Sequence, residues 1–137
     1  MKTDYKNYST GRSIGWNQLH FQWCTKYRYK IFCSERNKNF CKIALREGCK
    51  RNHIQYIDCE VDKDHIHILV AIPLTMAPST AIHLLKGYSS RLLLKLIPEI
   101  VKVYRGKRVI WSPGKFIGSV GHITLDRAKE YVEKHRL

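Results

Sequence analysis

The most informative segment of the chain is Asp62-Lys63-Asp64-His65-Ile66-His67-Ile68-Leu69-Val70-Ala71-Ile72. After its charged start it is apolar apart from two histidines, and it is rich in β-branched residues, which predicts a short β-strand. Alternate side chains of a strand share a face, so His65 and His67 point one way while Ile66 points into a core. Two imidazoles on one rigid face supply half of a metal site. The plainer alternative is a pair of partly exposed strand histidines.

The segments before this stretch predict the partners of that strand. Residues 54–61 alternate apolar and polar side chains, which predicts a strand that closes a hairpin around residues 62–64. Residues 19–24 alternate in the same way and predict a further strand. Between the two, residues 35–51 have the apolar spacing of a helix, with Ser34 as its N-cap. The first half of the chain therefore has the order strand, helix, strand, strand.

The second half of the chain continues this alternation. A second helix is predicted up to about Leu96, capped by Ser79 or Thr80. Residues 107–111 and 116–118 follow as two short strands around a turn. A last helix then runs to the C-terminus.

The order β-α-β-β-α-β predicts an α+β, ferredoxin-like split βαβ fold. In this RRM-like arrangement an antiparallel sheet carries two helices on one face, and its open face is a common platform for nucleic acid. We expect a single domain over residues 1–137, with residues 1–14 as a flexible arm. We expect residues 124–137 to form a mobile C-terminal helix that carries a tyrosine.

Composition narrows the class of partner. The chain has 25 Lys and Arg against 11 Asp and Glu, a formal charge of +14. This excess favours a protein that binds a polyanion, most simply nucleic acid; the alternative is a basic protein with no such partner. No segment approaches the roughly 20 apolar residues of a membrane span, and no signal peptide is recognisable, so we expect a cytoplasmic protein. The five cysteines form no Cys-x-x-Cys pair, which argues against a zinc ribbon and a disulfide scaffold.

The predicted last helix carries Tyr131 and His135, which are four residues apart and so share one face. Tyrosine is a nucleophile that forms covalent intermediates. A divalent metal held by His65, His67 and a third ligand such as His135 would polarise a phosphodiester beside that tyrosine. The alternative is that Tyr131 packs in the core and His135 is solvated.

Two groups of residues are candidates for DNA contacts. One interleaves cations with aromatic rings, which suits phosphates and unpaired bases, although an exposed strand end would show the same pattern. The other is Lys86 and Arg91 on the second predicted helix, where a solvated helix face is the alternative. The first group consists of Lys26, Tyr27, Arg28, Tyr29 and Lys30.

Several separated motifs of the chain resemble the single-tyrosine HUH transposases (TnpA type) of small prokaryotic insertion sequences. HUH stands for histidine-hydrophobe-histidine, which His65-Ile66-His67 matches. The resemblance covers about residues 18–135 and ends with Tyr131 in the last helix. Its further motifs are Thr25-Lys26-Tyr27-Arg28, Lys86-Gly87-Tyr88-Ser89-Ser90-Arg91, Trp111-Ser112-Pro113-Gly114 and Phe116-Ile117-Gly118-Ser119-Val120-Gly121.

The resemblance implies a metal-dependent DNA transposase. Such an enzyme cuts and rejoins single-stranded DNA at insertion-sequence ends through a 5′-phosphotyrosine, recognises subterminal hairpins and uses Mg²⁺ or Mn²⁺. It also implies a homodimer whose active site is shared between subunits, with Tyr131 as nucleophile and His65 and His67 as metal ligands. Four residues after the tyrosine the family commonly has Gln or Asn, whereas this chain has His135. An all-imidazole set suits Mn²⁺, Zn²⁺ or Ni²⁺ better than Mg²⁺, which prefers oxygen.

Two other functions stay open from the sequence. One is a non-catalytic nucleic-acid-binding module of the same fold, in which Tyr131 and the histidines are dispensable for activity. The other is a metal-dependent nuclease that hydrolyses DNA through water, without a covalent intermediate. DNA trapped on Tyr131 would separate all three.

Overall fold

A computed structural model of the chain describes residues 9–10 and 13–119. The helices and strands in this part are β1 (Ser9–Thr10), β2 (Ser13–Ile14), β3 (Trp16–Cys24), α1 (Glu35–Arg51), β4 (Gln55–Val61), β5 (His65–Pro73), α2 (Pro78–Leu96), α3 (Ile100–Val103) and β6 (Phe116–Ser119). The predicted last helix, with Tyr131 and His135, lies outside the described residues.

The main sheet has four strands in the order β4-β5-β3-β6, and every neighbouring pair is antiparallel. The first and third strands of the β-α-β-β-α-β series, β3 and β5, therefore lie in the middle, which confirms the predicted ferredoxin-like fold. Outside this sheet, β1 pairs with β2 in a small antiparallel ladder within the predicted arm. That the arm is flexible stays a prediction.

The hydrophobic core lies between one face of the sheet and the two long helices. Phe21 and Trp23 of β3 and the isoleucines of β5 meet Leu45 of α1 and Leu85 of α2 in one buried cluster. The helices approach closely at Gly48, where an added Cβ would lie 3.3 Å from side-chain atoms of both Leu85 and Tyr88. Both helices thus cover the same face, and the histidine face of β5 is turned away from them.

Helix α1 begins and ends where the sequence predicts. The Ser34 hydroxyl accepts a hydrogen bond from the Asn37 N–H at 3.1 Å, which satisfies one of the free donors of the first turn. This N-cap confirms the prediction from sequence.

Two predictions about the second half are wrong in detail. Helix α2 begins at Pro78 after Ala77, not after Ser79 or Thr80, because proline suits the first helical position and needs no N–H there. Residues 107–111 do not form a strand; of these, Trp111 alone makes a bridge, opposite Thr25. The chain turns away directly after Thr25, so no longer ladder can form.

The structure offers no membrane-spanning element among the helices it describes, since none is both long and apolar enough. The expected cytoplasmic location stays a prediction. The five cysteines are free, and Cys41, Cys49 and Cys59 are buried, as expected of cysteines used as small apolar residues.

Candidate active site

His65 and His67 lie on the sheet face opposite the helices, as the strand pattern predicts. Their ring centroids are 5.3 Å apart, and the two ring planes are nearly perpendicular. In register, His65 pairs with Cys24 of β3, and His67 lies between Gln22 of β3 and Glu60 of β4. Only 3% of His65 and 1% of His67 is exposed, so the alternative of partly exposed strand histidines is wrong.

The ring of His65 is held by the residue before it. Its Nδ1 lies 2.8 Å from Asp64 Oδ1, and because a carboxylate can only accept, this nitrogen carries the proton and donates it. The Nε2 atom is buried and has no hydrogen-bond partner among the described residues; Asp62 Oδ2 lies 3.8 Å away. An imidazole whose Nδ1–H is bound to a carboxylate and whose Nε2 lone pair is left over is typical of a metal ligand.

Asp64 connects this histidine to the basic segment that follows β3. The Arg28 Nε donates to Asp64 Oδ2 at 3.3 Å. Burial acts to raise the pKa of Asp64, but the hydrogen bonds from His65 and Arg28 outweigh it and lower that pKa. Asp64 is therefore a carboxylate at neutral pH and keeps its hold on His65. Asp64 is not among the site residues predicted from sequence, although its position directly before His65 is a signal.

His67 has a different partner, which is not among the site residues predicted from sequence. Its Nδ1 lies 2.9 Å from Nε2 of His20, a fully buried residue of β3. Phe116 of β6 packs its ring edge-on against His20, with centroids 5.5 Å apart. Strand alternation placed His20 on the face opposite Phe21, so the shared face could have been predicted, but not the contact.

The donor set fits half of a metal site. Within the described part of the chain no cluster of three or more His, Cys, Asp or Glu side chains could hold a metal ion. Two imidazoles on adjacent positions of one face suit a divalent transition metal, and they need a further ligand from elsewhere. The predicted third ligand, His135, and the predicted nucleophile, Tyr131, lie outside the described residues.

The basic segment forms a short 3-10 turn at Lys26–Arg28. Tyr27 and Arg28 have left-handed backbone angles, with φ of 60° and 54°. The turn is fixed by the Thr25 hydroxyl, which donates to the Tyr29 carbonyl at 2.7 Å. Side chains of this segment are consequently displayed beyond the end of the central strand β3 rather than along a strand.

Beside this turn lies an open cleft of about 340 Å³. Tyr29 and Tyr104 stack in it with ring centroids 5.4 Å apart, and Tyr27 beside them is 65% exposed. Arg105 and Lys107 also line the cleft and contribute cations. The cleft thus combines aromatic faces with positive charge, the combination that suits an unpaired base and its phosphate.

Lys86 and Arg91 lie apart from this segment, on α2. The Lys86 ammonium donates to the Ser112 carbonyl at 2.6 Å, and burial, followed by repulsion from Lys115, lowers its pKa. Arg91 is exposed. Among the described contacts, none joins either residue to His65 or His67, whereas Arg28 is joined to His65 through Asp64.

The fold and the paired histidines define a class, a ferredoxin-like domain with a histidine-hydrophobe-histidine strand on its open face. Comparison with known proteins gives the family. The family described as "Transposase IS200 like" matches residues 16–135, and the chain belongs to it. It is a transposase.

Individual relatives agree with this assignment. The chain is similar to the transposase of insertion sequence IS200 from Salmonella typhimurium, with 32% identity over 89% of this chain and 78% of the relative. It is also similar to the ISDra2 transposase TnpA of Deinococcus radiodurans, with 28% identity over 85% and 81%.

Two solved structures share the fold. A crystal structure of a Deinococcus radiodurans transposase superposes with a TM-score of 0.72 at 23% identity, covering 93% of this chain and 97% of that one. The structure of a REP-associated tyrosine transposase bound to a REP hairpin superposes with a TM-score of 0.56 at 12% identity, covering 97% and 69%. At these identities the likeness supports the fold alone.

Proposed function

We propose that this transposase cuts and rejoins single-stranded DNA at insertion-sequence ends through a 5′-phosphotyrosine on Tyr131. One observation carries the proposal: His65 and His67 are buried side by side on the open face, and the lone pair of His65 Nε2 has no described partner. A buried ring nitrogen without a hydrogen-bond partner costs free energy unless a ligand binds it. Histidines with a purely structural role on a solvent-facing sheet face would not need to be buried in this way.

The chemistry follows from the nucleophile. The Tyr131 oxygen attacks a phosphorus of the DNA backbone, a new P–O bond forms, and the P–O3′ bond breaks. The departing strand takes up a proton and keeps a 3′-hydroxyl, while the other strand stays bound to the tyrosine through its 5′-phosphate. Attack of a different 3′-hydroxyl on this phosphotyrosine rejoins DNA and releases the tyrosine, so no outside energy source is needed.

A divalent ion, Mg²⁺ or Mn²⁺, is the proposed cofactor, with His65, His67 and His135 as its ligands. When bound, it supplies a Lewis acid that polarises the phosphodiester. His65 is held ready by Asp64, which keeps the proton on Nδ1 and leaves Nε2 for binding. The imidazole donors favour Mn²⁺ over Mg²⁺.

The turn and cleft beside the metal face are the proposed DNA contacts. Lys26, Arg28 and Lys30 offer cations for phosphates, and the rings of Tyr27 and Tyr29 offer faces for unpaired bases. Arg28 also binds Asp64, so this surface is connected to His65 through one carboxylate. Lys86 and Arg91 are proposed as more distant phosphate contacts, and subterminal hairpins as the recognised DNA structure.

A homodimer with a shared active site is also proposed. The four-stranded sheet and its core are complete within the described residues, so the fold does not require the predicted last helix. Exchange of a terminal element between identical protomers is a low-cost route to a dimer. Tyr131 and His135 of one subunit would then approach His65 and His67 of the other.

Cleavage of element-end single strands tests the metal part of this function. Purified His65→Ala and His67→Ala variants should lose Mn²⁺-dependent cleavage, because either change leaves the ion under-coordinated. His83→Ala, which removes an exposed histidine of α2, is the matched control and should cleave normally. Undiminished cleavage by both site variants would make the paired histidines structural and contradict the proposal.

A further inference from the structure

We propose that His20 is a positioning residue that accepts the Nδ1–H of His67 and thereby leaves Nε2 of His67 to bind the metal. The inference rests on the metal role proposed for His67 above. It assigns a function to a buried side chain of β3 that the proposed chemistry does not otherwise use.

The two rings are aligned for one strong hydrogen bond. His20 pairs with Leu69, two positions along the ladder from the Gln22–His67 pair, so the two histidines are diagonal neighbours on the same face. Their ring planes are inclined by only 18°. The ring centroids are 5.2 Å apart, which is about the sum of the 2.9 Å N–N distance and the two ring radii. The rings therefore lie end to end rather than face to face. Both nitrogens therefore point along the line that joins them.

The direction of this hydrogen bond follows from the chemistry of imidazole. A neutral ring has one N–H and one lone pair, so only one proton can occupy the bridge. If His67 binds a metal through Nε2, its proton must be on Nδ1, and His20 Nε2 must be the acceptor. A partner that accepts at Nδ1 thus selects the tautomer that can bind the ion.

Packing keeps His20 in place for this role. The side chain is fully buried, and Phe116 packs edge-on against its ring. A buried ring on a central strand holds its orientation better than a residue on a loop. Asp64 accepts the corresponding hydrogen bond from Nδ1 of His65 at 2.8 Å, so the Nδ1 atom of each paired histidine is held by a separate partner.

The test compares three substitutions in the full-length chain. His20→Leu fills the buried space without an acceptor, and His20→Gln restores an acceptor close to the position of Nε2. His83→Leu is the matched control for loss of a histidine from an exposed site. Mn²⁺ affinity is measured by the electron paramagnetic resonance signal of the free ion. Two-bond ¹H–¹⁵N spectra of the metal-free protein report which nitrogen of His67 carries the proton.

We expect His20→Leu to bind Mn²⁺ about 10- to 100-fold more weakly, as is usual when the partner of a metal-ligating histidine is removed. The spectra should show His67 protonated on Nδ1 in the wild type and partly on Nε2 in His20→Leu. His20→Gln should recover most of the affinity and the wild-type tautomer. A purely packing role for His20 would not be rescued by Gln.

A folded His20→Leu protein with wild-type affinity and an unchanged His67 tautomer would overturn the inference. If His20→Leu does not fold, His20→Phe takes its place, because Phe keeps a flat ring but has no acceptor. The same results for His20→Phe would support or overturn the inference. A wild-type chain that binds no Mn²⁺ would contradict the proposed metal site instead. The direction of the His20–His67 hydrogen bond would then be determined from the tautomer of His67 alone, since the ¹H–¹⁵N spectra are recorded without metal.

Discussion

For single residues, the alternation of side chains along a strand predicted which face each residue occupies, whereas composition gave no information on this. Alternation along β5 placed His65 and His67 on one face and the isoleucines in the core, and the structure agrees. The partners of the two rings could not be predicted in the same way. The contact between His20 and His67 depends on the register between β3 and β5, and periodicity within one strand does not specify register.

Asp64 should matter for metal binding although it is not a proposed ligand. Asp64→Asn keeps the shape of the side chain but removes the charge that holds Nδ1–H of His65, and it also loses the ion pair with Arg28. We expect Mn²⁺ affinity to fall about 10-fold or more. Glu35→Gln, which removes a negative charge from α1, should leave the affinity unchanged. Equal affinities for Asp64→Asn and the wild type would show that His65 does not need this carboxylate.

At the scale of elements, helices with a clear cap and a clear apolar face were predictable, and short irregular segments were not. Residues 35–51 carried both signals, and α1 has those bounds. The start of α2 was placed too late because two hydroxyl residues after Pro78 look like caps, whereas Pro78 itself opens the helix. Residues 107–111 make a single bridge, from Trp111 to Thr25, and no longer ladder, which only the tertiary structure reveals.

The two serines that sequence offers as caps give a matched comparison of stability. Ser34→Ala removes the bond to the Asn37 N–H and should lower the free energy of unfolding by about 1 kcal/mol. Ser79→Ala lies inside the first turn of α2, where alanine favours the helix, and should cost almost nothing. Urea denaturation of both variants checks this. A larger loss for Ser79→Ala than for Ser34→Ala would contradict the observed helix starts.

The turn at Lys26–Arg28 should bind unpaired bases through its exposed ring. Tyr27→Ala removes a side chain that is 65% exposed, so folding should be preserved while binding of a single-stranded oligonucleotide weakens. Stacking on an aromatic ring is worth about 1–3 kcal/mol per base, which predicts a loss of roughly 5- to 150-fold. Tyr27→Phe keeps the ring and should bind nearly as the wild type does. Fluorescence anisotropy at fixed salt measures both, and equal binding by all three proteins would remove the turn from the DNA surface.

At the scale of the whole molecule, the charge and the fold agree on a nucleic-acid enzyme. The formal charge of +14 pointed to a polyanionic partner, and membership of the IS200-like transposases gives that charge a use. The ferredoxin-like order of elements was predictable because each element had its own local signal. Whether Tyr131 meets the paired histidines of its own chain or those of a partner stays a prediction, because one sequence contains no pattern that distinguishes the two arrangements.

Mixed dimers test whether the site is shared. Tyr131→Phe subunits are combined with subunits that carry His65→Ala and His67→Ala, neither of which should be active alone. A shared site predicts that the heterodimer keeps one intact site, with the histidines of one chain and the tyrosine of the other. DNA cleavage should then return after mixing. An inactive heterodimer, shown by differential tags to have formed, would place the whole site within one subunit.

Covalent capture of DNA on Tyr131 would show whether this transposase uses a tyrosine nucleophile. Single-stranded oligonucleotides that span the element ends are labelled at either terminus, incubated with the chain and Mn²⁺, and resolved on denaturing gels. We expect the 3′-end label to move with the protein and the 5′-end label to appear on a shorter free strand with a 3′-hydroxyl, and we expect neither product from Tyr131→Phe. Cleavage by Tyr131→Phe at the wild-type rate, with no protein-bound DNA in either case, would contradict the covalent mechanism and indicate a nuclease that uses water.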